Sequence, residues 1–185
     1  MYKAEVEIEL IVPYKQNRIT DDVINEISGN GGKKKTPQEI TNSWPEKAYQ
    51  DKKGYYIPRA HLQGTINRGM CSPTPIKCNR VKFTKEKAKG TIFVQDNGYL
   101  FDGKTKPVPE KDINAMPGDM NKLVLQIRPR FKAGLKAKFE LFIAHDWLTL
   151  DALKDGIEQA GASIGIGSNR PIFGRFIVKG LNRIS

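Results

Sequence analysis

An α+β fold in the order strand, helix, strand, strand, helix, strand is predicted by three features of the sequence. Strict alternation marks the first strand: Ala4, Val6, Ile8, Leu10 and Val12 share one face, while Lys3, Glu5, Glu7 and Glu9 share the other. A second alternating run puts Ala137, Phe139, Leu141 and Ile143 on one face. Two further segments carry helical stripes instead, Leu62, Ile66 and Met70 in one and Leu150, Leu153 and Ile157 in the other. That order is the split βαβ, ferredoxin-like (RRM-like) βαββαβ arrangement. A chain of 185 residues suits one such domain, residues 1–185, with insertions.

Each element has a local cause. The first strand runs from Tyr2 to Val12 and stops at Pro13, which has no N–H to offer a ladder. Residues 15–56 lack clean periodicity and form a first insertion, after the first strand. Asp21 to Ile27 fits a short helix there, and Gly29-Asn30-Gly31-Gly32 followed by Lys33, Lys34 and Lys35 is a flexible basic loop. Pro58 opens the first helix of the frame, and Cys71-Ser-Pro-Thr-Pro closes it. Residues 71–121 form a second insertion. Within it, Thr91 to Val94 and Tyr99 to Phe101 flank Asp96-Asn97-Gly98, a hairpin signal, and residues 103–121, with their three prolines, read as a long loop. Leu123 to Arg130 and the run ending at Ile143 are strands joined by a turn at Lys132-Ala133-Gly134. Thr149 caps the second helix, Asp151 complements its first turn, Gly161 ends it, and Arg175 to Leu181 closes the frame.

The net charge of +11 is blocked rather than spread. Residues 52–90 hold ten Lys or Arg against one acid, Glu86; residues 128–138 hold five and residues 161–185 four, with no acid in either. The remainder of the chain is net negative. Solubility does not require such blocks, whereas a polyanionic partner such as nucleic acid does. No apolar run approaches the roughly 20 residues of a membrane span, so a membrane partner is not expected. The charged alternation at the N-terminus is not that of a signal peptide, which points to a cytoplasmic protein. Cys71 and Cys78 match no zinc spacing, since no histidine pair stands near them; they read as two reduced thiols, and no metal or other cofactor is implied.

The most informative segment is Ala160-Gly-Ala-Ser-Ile-Gly-Ile-Gly-Ser-Asn-Arg-Pro-Ile-Phe-Gly-Arg-Phe176. Its glycines follow a helix and precede a strand, the reverse of the strand-to-helix order of nucleotide-binding loops. The segment resembles the C-terminal glycine-rich loop of the RAMP proteins of CRISPR effector complexes, which include Cas7-type backbone subunits and Cas6-type nucleases. A second segment, Tyr56-Ile-Pro-Arg-Ala-His-Leu-Gln-Gly-Thr-Ile-Asn-Arg68, is similar to the stretch that opens the first helix of many Cas7-like subunits. The chain is short for a full Cas7 subunit and also resembles small, solitary RAMP-like proteins of phages and prophages.

The resemblance implies a Cas7-like, non-catalytic protein that binds single-stranded RNA, or single-stranded DNA, and can assemble along the strand with itself or with CRISPR-type effector subunits. It places Arg68, Arg170 and Arg175 close together beside Gly165 and Gly167. Arg128 and Arg130 would add a second basic patch, and Lys33, Lys34 and Lys35, with the lysines of 82–89, would track phosphates. Two alternatives stand beside this reading. A Cas6-like, metal-independent endoribonuclease would use His61, in the first helix, as an acid or base, with Tyr55 or Tyr56 nearby; a lone helical histidine more simply packs. Asp21 and Asp22 fall near the position of a catalytic Asp in some Cas7 subunits but also read as acids at a helix N-terminus. The other alternative is a phage protein that mimics a CRISPR component and binds proteins.

Overall fold

The computed structural model of the chain describes residues 1–19, 24–25, 28, 36–100, 105–116 and 119–184. Asp21, Asp22, Lys33, Lys34 and Lys35 lie outside the described residues, as does most of the helix expected at residues 21–27. In chain order the elements are β1 (Tyr2–Leu10), β2 (Tyr14–Lys15), α1 (Pro37–Asn42), a 3-10 turn (Trp44–Lys47), β3 (Gln50–Asp51), β4 (Gly54–Ile57) and α2 (Arg59–Gly69). Then come β5 (Lys77–Cys78), β6 (Val81–Lys82), α3 (Lys85–Thr91), β7 (Ile92–Val94), β8 (Gly98–Leu100), β9 (Val108–Met116), β10 (Asp119–Phe131), β11 (Lys136–Ile143), α4 (Leu150–Ser163) and β12 (Phe176–Arg183).

β1 is the centre of the main antiparallel sheet because its alternation gives it one fully apolar face: Ala4, Val6 and Ile8 are completely buried. It pairs with β12 on one side and β11 on the other, and the sheet continues through β7 and β8, both on β11, to β4 and β3. The helices α2 and α4 cover the face that carries Val6, Ile8, Phe139 and Leu141 and form one core with it. They cross at glycines. A Cβ on Gly69 would lie 2.3 Å from the Gly156 carbonyl oxygen and 2.4 Å from the Ala160 Cβ, so the two backbones touch. Thr149 caps α4 as expected, accepting from Ala152 N–H.

A second sheet of three strands, in the order β2-β10-β9, stands apart from the first. It corrects three sequence expectations. Residues 103–121 are not a loop throughout, since 108–116 form β9. Residues 123–130 belong to β10, which pairs with β9 and β2 and not with the main sheet. The position beside β11 goes instead to β7 and β8, which do not form a hairpin. They lie end to end along β11, with Val94 opposite Leu141 and Tyr99 opposite Lys138. The Asp96-Asn97-Gly98 signal marks the bulge between them. There Asp96 accepts from Glu140 N–H (2.8 Å), and Asn97 accepts from Arg59 N–H (2.8 Å) where α2 begins.

Among the described residues, no helix is long and apolar enough to cross a membrane.

Candidate nucleic-acid interface

The glycine-rich loop after α4 is folded back on the protein's own backbone. Ile166 N–H donates to Gly174 O (2.9 Å), Gly174 N–H to Pro13 O (2.8 Å), and Ser168 N–H to Lys15 O (3.0 Å). Gly167 has φ +81°, and a Cβ there would sit 2.3 Å from Lys15 O and 2.4 Å from Tyr14 Cε2. At Gly165, φ is +72° and the clash would be with Phe173 O, at 2.7 Å. The close approach these glycines permit is therefore to β2 and to the loop itself. Gly165 is buried under the loop it shapes, and Gly167 is half-buried against β2. The residues that the loop presents to solvent are its tip, Asn169 to Ile172.

Arg170, on that tip, reaches back to α2. Its Nη1 donates to Thr65 Oγ1 (3.4 Å), and the buried Thr65 hydroxyl donates to Gly165 O (3.1 Å). Arg68 stands one turn further along α2. Partial burial holds the Arg170 guanidinium below its usual pKa, and the Arg68 charge lowers it further. Among the described residues, no carboxylate forms an ion pair with either arginine. Two guanidiniums brought together without a counter-acid disfavour each other's charge, and an anion between them would relieve that repulsion. Arg175 is not part of this pair; it is exposed at the foot of β12, where its carbonyl accepts from Ile11 N–H (3.0 Å).

His61 lies at the edge of the buried α2 stripe. Its ring meets Tyr49 edge-on with centroids 5.4 Å apart. Burial pushes its pKa down and the Arg170 charge pushes it further, while Nδ1 is buried without a hydrogen-bond partner. Among the described residues, no carboxylate orients the imidazole in the way that a general base ordinarily is oriented. Nor do three His, Cys, Asp or Glu side chains converge as metal ligands among the described residues.

The arginines of the second basic patch are paired with acids. Arg128 is 8% exposed, and its Nη1 donates to Asp112 (3.0 Å) and to Asn169 Oδ1 (3.1 Å), while its other terminal nitrogen binds Gln126. The Nε of Arg130 lies 3.0 Å from Glu110, close enough to pair but off the axis of a hydrogen bond. Both charges thus pair with acids of β9. Sequence reasoning passed over the centre of this network. Lys15, 1% exposed, pairs with Asp112 (2.7 Å) and Glu110 (3.4 Å), and its ammonium lies 3.9 Å from the centre of the Phe173 ring. No sequence signal marks Lys15, because the two acids lie nearly a hundred residues away.

The open face of the central strands is likewise balanced. Glu5 pairs with Lys138 (2.8 Å), Glu7 with Lys136 (3.5 Å) and Glu9 with Lys179 (3.4 Å). Arg68 and Arg170, by contrast, have no ion-pair partner among the described residues.

An arginine pair thus stands where the glycine-rich loop meets the first frame helix, in a fold shared with solved Cmr proteins. At the level of fold, the resemblance seen in the sequence holds. The chain superimposes over its full length on a chain of the Type III-B Cmr-beta complex, solved by cryo-EM bound to cognate target RNA, with a TM-score of 0.57 and 12% identity. It spans 61% of the length of that chain. It also matches Cmr6 from Pyrococcus furiosus with a TM-score of 0.52 and 12% identity, covering 95% of this chain and 97% of Cmr6. No family model matches the sequence, and no curated protein does.

Proposed function

We propose that the protein is a Cas7-like, non-catalytic subunit that binds single-stranded nucleic acid, RNA in preference to DNA, with Arg68 and Arg170 on its phosphates. The observation that carries this is the arginine pair, held by Thr65 and the loop and left without an acid. The solved neighbours add support from fold, since one of them comes from a complex bound to RNA. We read the frame as ferredoxin-like and the chain as one domain. The order β12-β1-β11 with β7 and β8 beyond, and with α2 and α4 as the crossovers, supports this. Assembly along the strand with copies of itself or with effector subunits, in the bacterial cytoplasm or in a phage-infected cell, belongs to the same proposal. Lys33, Lys34 and Lys35 would add phosphate contacts.

The test is binding of labelled single-stranded RNA and DNA of about fifteen nucleotides across a salt series. Affinity is expected to fall with salt because each neutralised phosphate releases counterions. Arg68→Ala and Arg170→Ala should each weaken binding and flatten the log–log slope by about 0.7. Flat affinity across the series, or arginine variants with the wild-type slope, would refute the site. RNA cut in EDTA, with cutting lost in His61→Ala, would favour the ribonuclease alternative. Neither binding nor cutting would favour the protein-binding one.

A further inference from the structure

The glycine loop is not the only ordered feature beside the arginine pair. Tyr49, Tyr56 and Tyr99 form a row across the outer strands of the main sheet. Tyr56 is in register with Tyr99, and its N–H donates to Tyr49 O (3.1 Å). The ring centroids are 5.6 Å apart from Tyr99 to Tyr56 and 5.9 Å from Tyr56 to Tyr49. His61 then continues the row toward Arg170, whose charge acts on it.

Strand alternation turns the rings of Tyr56 and Tyr99 outward, and Tyr49, just before β3, packs beside Tyr56. Tyr55 and Ile57 flank Tyr56; Tyr55 packs on Phe131 with centroids 5.4 Å apart, and Ile57 is completely buried, so Tyr56 takes the opposite face. Tyr99 likewise lies between the buried Gly98 and Leu100. All three tyrosines remain half-buried, open to solvent on one side. One such ring is ordinary on a protein surface. Three in line beside an unbalanced arginine pair are a built feature, and Gln16 shows how it is built. This fully buried side chain accepts from Tyr49 N–H (2.6 Å) and donates to Tyr56 O (2.7 Å) and Tyr14 OH (3.2 Å), clamping the two tyrosine segments at fixed spacing. Cations flank the outer end: the Lys53 ammonium lies 5.4 Å from the Tyr99 ring centre, and Lys138 is opposite Tyr99 in register. Asp51, the acid at that end, accepts from Tyr99 OH (2.7 Å) and from Lys53 N–H (2.8 Å).

We propose that Tyr49, Tyr56 and Tyr99 are a stacking platform for the bases of the strand whose phosphates Arg68 and Arg170 hold; this rests on the binding function proposed above. Aromatic rings beside a basic groove stack any base, because every base has a π-face. The cross-strand ion pairs of β1, β11 and β12 occupy the middle of the open face, which confines a bound strand to the tyrosine wing.

The experiment uses the full chain and a fluorescein-labelled uridine homopolymer of about fifteen nucleotides. Tyr56→Leu and Tyr49→Leu are each expected to weaken binding about tenfold, while Tyr56→Phe and Tyr49→Phe, which keep the ring, bind like wild type. In parallel, an oligomer carrying 5-iodouridine is photo-crosslinked to wild type and the site mapped by mass spectrometry; adducts are expected on Tyr49, Tyr56 or Tyr99. If a leucine variant does not fold, the wild-type adduct carries the test. Leucine variants that bind like wild type while Arg170→Ala is weakened, or adducts confined to other residues, would overturn the platform and leave the binding function standing. A wild-type protein that binds no RNA would overturn both.

Discussion

His61 illustrates how little one residue's sequence position settles. Its place beside Leu62 and Ile66 puts it at the edge of the buried stripe, as the helical period requires. What the ring does there depends on Tyr49 and Arg170, both distant in sequence. Burial and the Arg170 charge disfavour the imidazolium in the folded protein, whereas the unfolded chain takes up its proton at the ordinary value of 6.5. The unfolded state then binds more protons as the pH drops. The stability that His61 contributes is therefore full above pH 6.5 and is lost as the pH falls from there through the lowered folded value. Thermal unfolding followed from about pH 8 to about pH 5.5 should show this decline, and His61→Phe, which keeps the edge contact with Tyr49, should flatten it. An unchanged slope would mean that the ring is not held neutral.

The arginines divide the same way. Arg68 and Arg170 sit on the two motifs the sequence offers, and the structure brings those motifs together. Arg128 and Arg130 looked identical to them in sequence, but acids of β9 pair with both. Charge type is local information; charge balance is not.

At the scale of elements, α2 holds two glycines with opposite consequences. Gly64 faces solvent, and an added Cβ would meet nothing within 4 Å; Gly69 lies against the backbone of α4. Gly64→Ala should stabilise the protein by about 0.5–1 kcal/mol, because only the entropy of the unfolded chain changes. Gly69→Ala should destabilise it by about 1–3 kcal/mol, since two helices must separate to admit one methyl group. Urea unfolding of both variants checks the pair of signs, and a Gly69→Ala protein as stable as wild type would show that the crossing can relax. The strand β9 was hidden for a related reason. Pro107 and Pro109 argue against a strand by the loss of ladder donors. Yet Pro109 faces Pro129 at a position of the β9–β10 pair that carries no ladder bonds: the Pro129 carbonyl points the other way, to β2, and accepts from Gln16 N–H (3.0 Å), so no β9–β10 bond is forfeited there. Likewise Asp96-Asn97-Gly98 carried the residues of a hairpin turn, and only the partner strand β11 makes it a bulge.

Across the whole molecule, Lys15 ties the second sheet to the glycine-rich loop. Its ammonium is held by two acids of β9 and covered by Phe173, and its carbonyl accepts from Ser168 N–H. Removing one partner of a buried charge costs more than replacing the charge with an apolar group. Asp112→Ala should thus cost about 3 kcal/mol, leaving Lys15 and Arg128 both short of a counter-charge. Lys15→Met should cost less than about 1.5 kcal/mol, because Arg128 still holds Asp112 and the methionine still packs on Phe173. Chemical denaturation ranks the two; the reverse order would show that Lys15 itself, and not the balance of charge, holds the second sheet to the loop.

Local pattern by itself determined the alternating strands β1 and β11, the amphipathic α2 and α4 with the Thr149 cap, the presence of the glycine-rich loop, and the excess of positive charge. These depend on the period of the backbone and on composition, which neighbours in sequence carry. Tertiary structure decided which strands share a sheet, which arginines lack an acid, why Gly167 must be glycine, and that Tyr49, Tyr56 and Tyr99 form a row. Each of these depends on contacts across tens to hundreds of residues. Such contacts are set by how the apolar faces pack, and a linear pattern does not contain that geometry.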